Sequence, residues 1–204
     1  MERVFIRHIR DNLGLYLLVG FFFLAGIAGG AFTVWLVKPN QEAALAAYLN
    51  TVLEQLGVAR PDAYLSLNQA FLAGLKEIGL FWFFGLTSFM GLPLIAGFLF
   101  FKGFALGFTV GFLVQERSWQ GVALSFFSVL PPNLIAVPAL FLAGVLAISF
   151  SLELIRSHPG RVGIWRRFTA YTFIMSLLGL ALMAGGLLEA FLSPAMVKIV
   201  LNLW

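Results

Sequence analysis

Residues able to do acid–base, nucleophilic or metal chemistry are few and scattered. The 204-residue sequence has two histidines, nine acidic residues and no cysteine. His8 and His158 both lie in polar flanks, His158 within the turn His158-Pro159-Gly160, where an imidazole is ordinarily solvated. No HExxH, GxSxG or P-loop string occurs, and no pair of glutamates sits inside an apolar run. Gly103-Phe104-Ala105-Leu106-Gly107 is embedded in apolar residues and lacks the Lys-Ser/Thr of a phosphate cradle. Without cysteine there are no disulfides or thiolate metal sites. The chains of buried Asp, Glu or His that relay protons in pumps are missing. No catalytic residue, cofactor or metal ligand is expected, and the protein reads as a non-enzyme.

The spacings that remain concern packing and backbone breaks. Gly26 and Gly30 form one GxxxG, and Gly103, Gly107 and Gly111 form two in succession. Glycine at this interval lets helix backbones approach closely in lipid, where van der Waals packing drives association. The stripe serves either packing within one subunit or self-association into a homodimer or other homo-oligomer. Lys102 stands between apolar runs, and its long stem allows it to snorkel to the cytoplasmic face. Pro131, Pro132 and Asn133, with Pro138, break a helix and free carbonyls. Such breaks hold substrate or ions in transporters, or are kinks satisfied by neighbouring helices.

The elements that carry these residues follow from composition. Hydrophobic residues make up 61% of the chain, charged residues 11%, and 23 residues are Phe, against about a quarter charged in a soluble domain. One soluble core could not hide so much apolar surface, so part of it faces membrane lipid. The net charge of +4 reports orientation, since basic residues collect on the cytoplasmic side, and nucleic acid is not an expected partner. Windows free of Asp, Glu, Lys and Arg run Asn12–Val37, Ile78–Phe101, Gly103–Gln115, Ser118–Leu152 and Phe168–Leu188. A crossing needs about 20 apolar residues. The third window, at 13 residues, is too short alone, and the fourth, at 35, must tilt, bend or divide, with Pro131-Pro132 the obvious place. The N-terminus resembles a signal peptide in charge, but its apolar stretch is too long for one, so it reads as an uncleaved first span.

Arg3, Arg7 and Arg10 precede the first span, and Arg156, Arg161, Arg166 and Arg167 precede the last. With both clusters cytoplasmic and Lys102 on the same side, the simplest count is five spans. The expected architecture is therefore an all-α integral membrane protein, residues 1–204 forming one membrane domain. Residues 1–12 are a cytoplasmic N-terminus, 38–77 an extracytoplasmic helical segment and 156–167 a basic cytoplasmic loop, with the C-terminus outside. One span, in the region 98–133, is short or broken. Glu116 and Arg117 fall at an outer hairpin tip with Trp119 as interfacial anchor, and Glu153 can pair with Arg156.

The external segment carries two amphipathic faces. Leu45, Leu49, Val52 and Leu56 recur at helical spacing after Asn40, which can cap a helix beginning near Gln41. Tyr64 and Phe71 belong to a second face after the turn at Arg60-Pro61-Asp62. These faces either lie on the membrane interface or dock a partner. Polar residues are scarce in the central spans, which favours a packed scaffold over the alternative, a small-molecule or ion transporter or channel using the break near Pro131-Pro132.

Longer strings go further. Gly91-Leu92-Pro93-Leu94-Ile95, the run from Phe101-Lys102-Gly103-Phe104 to Gly111-Phe112, and Leu130-Pro131-Pro132-Asn133-Leu134-Ile135 followed by Pro138-Ala139-Leu140 resemble stage II sporulation protein M over nearly the whole chain. Family-motif positions are Pro93, Lys102, Pro131, Pro132, Asn133 and Pro138; Pro132 departs from the Gln of the family pattern, which keeps the break and changes its polarity. The resemblance implies a polytopic component of the engulfment complex with sporulation proteins D and P, which remodel septal peptidoglycan, at the sporulation septum or engulfing membrane. The implied role is that of a scaffold that recruits or anchors those partners during forespore engulfment.

Overall fold

A computed structural model describes residues 12–37, 45–47, 51, 63–87, 90–156 and 164–202, and every regular element among them is helical. The elements are α1 (Leu13–Trp35), α2 (Ala63–Leu86), α3 (Gly91–Leu124), a π-helical turn (Ser125–Val129), α4 (Leu130–Arg156) and α5 (Ile164–Asn202). Helix is what such a sequence must form in lipid, where each backbone N–H and C=O has to be satisfied within its own segment.

Which face turns inward is decided by size. On α1 the exposed side carries Leu13, Leu17, Phe21, Leu24, Phe32 and Trp35. The buried side carries Val19, Phe23, Gly26, Gly30 and Val34. Both faces are apolar, so burying one instead of the other changes little in hydrophobic energy; close approach of backbones makes the difference.

Contacts between helices fix their directions. Gly26 abuts Phe100 and Phe104, Gly30 abuts Phe104 and Phe108, and Gly111 abuts Ala31, so α1 and α3 run parallel. On α2, Phe81 packs edge-on against Phe98 at 5.2 Å, while Phe84 meets Gly91, so α2 is antiparallel to α3. Ala70 lies against Gly186, Gly74 against Met183 and Ile78 against Gly179, making α2 and α5 antiparallel. Helix α4 runs against α5, with Ala136 at Gly185 and Phe150 stacked on Tyr171 at 4.3 Å. It contacts all four other helices. Its share of the core, Ala139, Leu140, Ala143, Val145, Ala147, Ile148 and Phe150, is mostly small or β-branched.

Three helical runs among the described residues are long and apolar enough to cross a membrane: Leu13–Trp35, Gly91–Ile155 and Trp165–Leu192. Length and apolarity thus give three runs where about five spans were expected; α2, which holds Lys76 and Glu77, is not among them. The middle run, 65 residues, would extend roughly 100 Å if straight. It does not, because the chain folds back at Ser118, whose φ of 48° and ψ of −119° are non-helical. Gly121 there presses on the Leu113 carbonyl and on Val114. Trp119 is 72% exposed at this tip.

The reversal corrects two expectations. The third helix is continuous from Gly91 to the fold-back and is neither short nor broken; it incorporates Lys102, which the charge-free windows had used as a boundary. And the helix runs on through Pro131 and Pro132. The preceding π turn explains this: the Leu130 N–H bonds the Ser125 carbonyl five residues back. That wider turn moves the carbonyls a proline ring would otherwise strike. Asn133 Nδ2 donates to the Val129 carbonyl at 2.7 Å, satisfying one acceptor in the same stretch.

A second boundary also moves. The second helix is Ala63–Leu86 and the chain turns between Leu86 and Gly91, not near Lys102. The Thr87 carbonyl accepts from the Gly91 N–H at 2.9 Å and from Ser151 Oγ at 3.1 Å, which pins the turn to α4. At the same end Ser149 Oγ donates to Asn12 Oδ1 at 3.2 Å. Glu153 pairs with Arg167 on α5; the Arg156 side chain, its expected partner, lies outside the described residues.

A Cβ at Gly107 would run into the Ile27 carbonyl, whereas one at Gly97 meets nothing within 4 Å. Gly107→Leu should therefore lower stability by about 1–3 kcal/mol, as overpacking does, while Gly97→Ala stays near wild type. Thermal unfolding in detergent, followed by tryptophan fluorescence, reads both.

Candidate functional site

Apart from Glu189 on α5, the charges away from the helix ends and the Ser118 fold-back form one group. Lys102 Nζ donates to Glu77 Oε1 across α3 and α2, and its ammonium lies 6.0 Å from the centroid of the Phe98 ring. Lys76 adjoins Glu77 and is exposed on α2. The pair sits deep. Glu77 is nine residues from the end of α2 and Lys102 eleven from the start of α3, about 14–17 Å along either helix at 1.5 Å per residue. That is roughly half of a 30 Å hydrocarbon core. The neighbours agree: Gly103, next to Lys102, touches Phe23 and Ile27 in the middle of α1, and Ile78, next to Glu77, touches Gly179 in the apolar stretch of α5.

The Lys102 ammonium, expected from the sequence to snorkel to the cytoplasmic face, is held on Glu77 of α2. A lysine at mid-depth costs about 2.5–3.5 kcal/mol on insertion scales, and a stem of four methylenes cannot reach an interface some 15 Å away at 1.5 Å rise per residue. Pairing with Glu77 offsets that cost, and the Phe98 ring adds a weaker attraction. Sequence windows missed Glu77 because it was counted as the edge of the external segment. The signal available was the similar distance of each charge from the turn between the two helices, nine residues along α2 and eleven along α3.

The glycine stripe lies on the other side of α3 from this pair and packs within the chain. Gly26 and Gly30 face the backbone of α3 at Phe100 and Phe104, and Gly103 and Gly107 face the backbone of α1 at Phe23 and Ile27. Gly111 lies against Ala31 and Val34, where an added Cβ would fit tightly at 3.3 Å. Beside the stripe, Phe100, Phe104, Phe108 and Phe112 stack at 6.1–6.5 Å spacings along α3.

The other sequence-derived positions are spread out. Pro93 is in the first turn of α3, where a missing N–H costs no intrahelical bond. Pro131, Pro132 and Asn133 lie at the π turn and Pro138 inside α4. Leu45 belongs to a short helical stretch, while Leu49, Val52 and Leu56 lie outside the described residues. Tyr64 is in α2 near its start. Phe71, 52% exposed, lines an apolar groove of about 550 Å³ between α2 and α5 with Leu67, Asn68, Leu180 and Met183. Of the six candidate partner-interface positions, Leu45, Tyr64 and Phe71 fall in described helical stretches, and the other three lie outside them.

At mid-depth the interior is filled by Phe81, Leu99, Ala143, Ile148 and Met175, each almost fully buried. Below it, Tyr171 Oη donates to the Phe81 and Trp82 carbonyls at 3.2 Å, and Trp82 Nε1 donates to Thr172 Oγ1 at 3.1 Å. These bonds clip α2 to α5. No cluster of three or more His, Asp or Glu side chains able to hold a metal occurs among the described residues.

A bundle of apolar helices with large residues outward, glycines inward and a paired charge at lipid depth defines a polytopic helical membrane protein. The family described as stage II sporulation protein M matches residues 19–194. The chain belongs to that family, which makes it a sporulation-related membrane protein. No curated protein and no solved structure matches it.

Removing one partner of the deep pair leaves a charge uncompensated, and such losses cost about 3–5 kcal/mol where the pair is buried. Glu77→Gln and Lys102→Met should each destabilise the bundle, by less than that because both side chains are partly exposed. The exchange Glu77→Lys with Lys102→Glu should recover most of the loss. Additive effects in a double-mutant cycle of unfolding midpoints would show that the two residues do not interact.

Proposed function

We propose that this protein is a non-enzymatic membrane scaffold that recruits or anchors peptidoglycan-remodelling proteins during forespore engulfment. It crosses the membrane five times, through α1, α2, α3 as far as Ser118, the stretch from Trp119 through α4, and α5. The N-terminus is cytoplasmic and the C-terminus outside. The alternating directions of the five segments support this count. So does the charge distribution: Arg3, Arg7, Arg10 and the Arg156–Arg167 loop fall on one side. Family membership supports the setting, and the implied partners are sporulation proteins D and P.

The observation that carries the scaffold reading is the apolar, filled interior at mid-depth. A transporter needs polar groups lining a path to its midplane site; this bundle puts its two paired charges on the outside of the core, 37% and 21% exposed. Its work is then done by surfaces. The external residues Leu49, Val52 and Leu56 and the exposed outer part of α2 around Phe71 are the docking region in this reading.

Two measurements test it. The chain has no cysteine, so single-cysteine variants report topology directly. Ser118→Cys should react with a membrane-impermeant maleimide added outside intact cells, and Thr87→Cys only after permeabilisation. Labelling of Thr87→Cys in intact cells would remove the second crossing.

For the role itself, Leu49→Ser, Val52→Ser and Leu56→Ser together should release co-purifying wall hydrolases from a protein that still inserts and unfolds normally. Unchanged co-purification would overturn the docking region. A partner-free protein whose reconstitution makes liposomes permeable to a small solute would favour transport instead.

A further inference from the structure

The face of α2 turned away from the bundle holds Leu72, Lys76, Leu80 and Phe83, all exposed, with Gly79 between them. A side chain added at Gly79 would meet nothing within 4 Å, so the backbone there is open to approach. Lys76 is ten residues from the end of α2, about 15 Å at 1.5 Å per residue, and so at the depth of the Lys102–Glu77 pair. Glu77 is engaged by Lys102, and Lys76 has no ion-pair partner among the described residues. With α2 crossing the membrane, the described residues at this depth hold two cations and one anion, a net charge of one. Charges at such a depth almost always face a bundle interior or an opposite charge. Here Lys76 faces outward.

We infer that this face of α2 seats a transmembrane helix of another protein that carries a carboxylate at mid-depth. The carboxylate pairs with Lys76, and Gly79, one turn further along, lets the two backbones close up while Leu72 and Phe83 pack on either side. A second copy of this chain fits less well, because the carboxylate it offers at that depth, Glu77, is already paired. The inference rests on the reading that α2 crosses the membrane, and it adds the partner's chemistry to the scaffold role.

The test uses synthetic single-span Leu-Ala peptides with one central residue, either Glu or Leu, and measures energy transfer to the full-length protein in liposomes. The Glu peptide should bind about tenfold tighter than the Leu peptide, the scale of an interhelical polar contact. That preference should vanish in Lys76→Leu, persist in Lys76→Arg, and be lost when Glu is moved two turns toward either end of the peptide. Gly79→Leu should weaken binding of the Glu peptide while leaving the protein's own stability unchanged. Equal binding of both peptides to a well-folded wild type, or an unaltered preference in Lys76→Leu, would overturn the inference. Leu72→Cys and Phe83→Cys separate the two levels of failure. If water-soluble maleimide labels them, α2 is not in the membrane and the underlying reading falls. If they are shielded and the peptides still bind equally, only the carboxylate partner falls.

Discussion

In a bilayer a leucine gains nothing from turning inward, because lipid tails are as apolar as a protein core. The bundle depends on that constraint. What holds α1 to α3 is contact between backbones, allowed by Gly26 and Gly30 on one helix and Gly103 and Gly107 on the other. Because the two helices run parallel, an entire helix travelling the other way has to lie between them in sequence, and α2 fills that place. The central helix then has to meet four neighbours at once, which explains a buried face made of Ala139, Ala143, Ala147 and Val145 rather than the Phe and Leu that cover the outside.

The same close packing explains how charge is tolerated at depth. Gly103 draws α3 against α1 at the level of Phe23, so Lys102, one residue earlier, is directed away from that seam, toward α2 and Glu77. The pair neutralises charge without entering the core, whose interior stays apolar. Orientation bookkeeping changes with it. Counting Lys102 as cytoplasmic gives eight basic residues inside and five outside. Removing Lys102 and Lys76 as mid-depth residues leaves seven inside and four outside, the same sign of bias on fewer charges. The proposed orientation of the N-terminus therefore rests on the arginine clusters, while Lys102 entered only the count of spans.

Much of this was legible in the sequence. Helical class, lipid exposure, the basic flanks, the hairpin tip at Glu116–Trp119 and the family were all readable from composition and strings. The boundaries of the second and third helices were not, and for a single reason. A charge-free window treats every Lys or Glu as a span edge, and it cannot see that Glu77 and Lys102, 25 residues apart, cancel each other. The prolines misled in a related way. Pro131-Pro132 is a strong break signal, but a π turn five residues long supplies the room the rings need. The reversal instead falls at Ser118, a residue type that gives no sequence signal of its positive φ, close to Gly121, which permits the chain to press on its own Leu113 carbonyl.

The two ends and the middle of the bundle are built by different means, and this bears on what the protein can do. At the end nearest Asn12, Thr87 and Glu153, polar side chains tie helix to helix: Asn12 to Ser149, Ser151 to the Thr87 carbonyl, Glu153 to Arg167. The middle is held by size complementarity around glycine. A molecule so tied has few internal alternatives to switch between, since packed interiors resist continuous deformation. Its specificity must then reside in what it presents outward: an apolar groove between α2 and α5, and an exposed lysine with no ion-pair partner among the described residues. Both features lie on α2, the helix with the least apolar run of the five. A helix that is a poor match to lipid on one face is well suited to being covered by protein there, and α2 is where a scaffold of this construction would be expected to hold its partners.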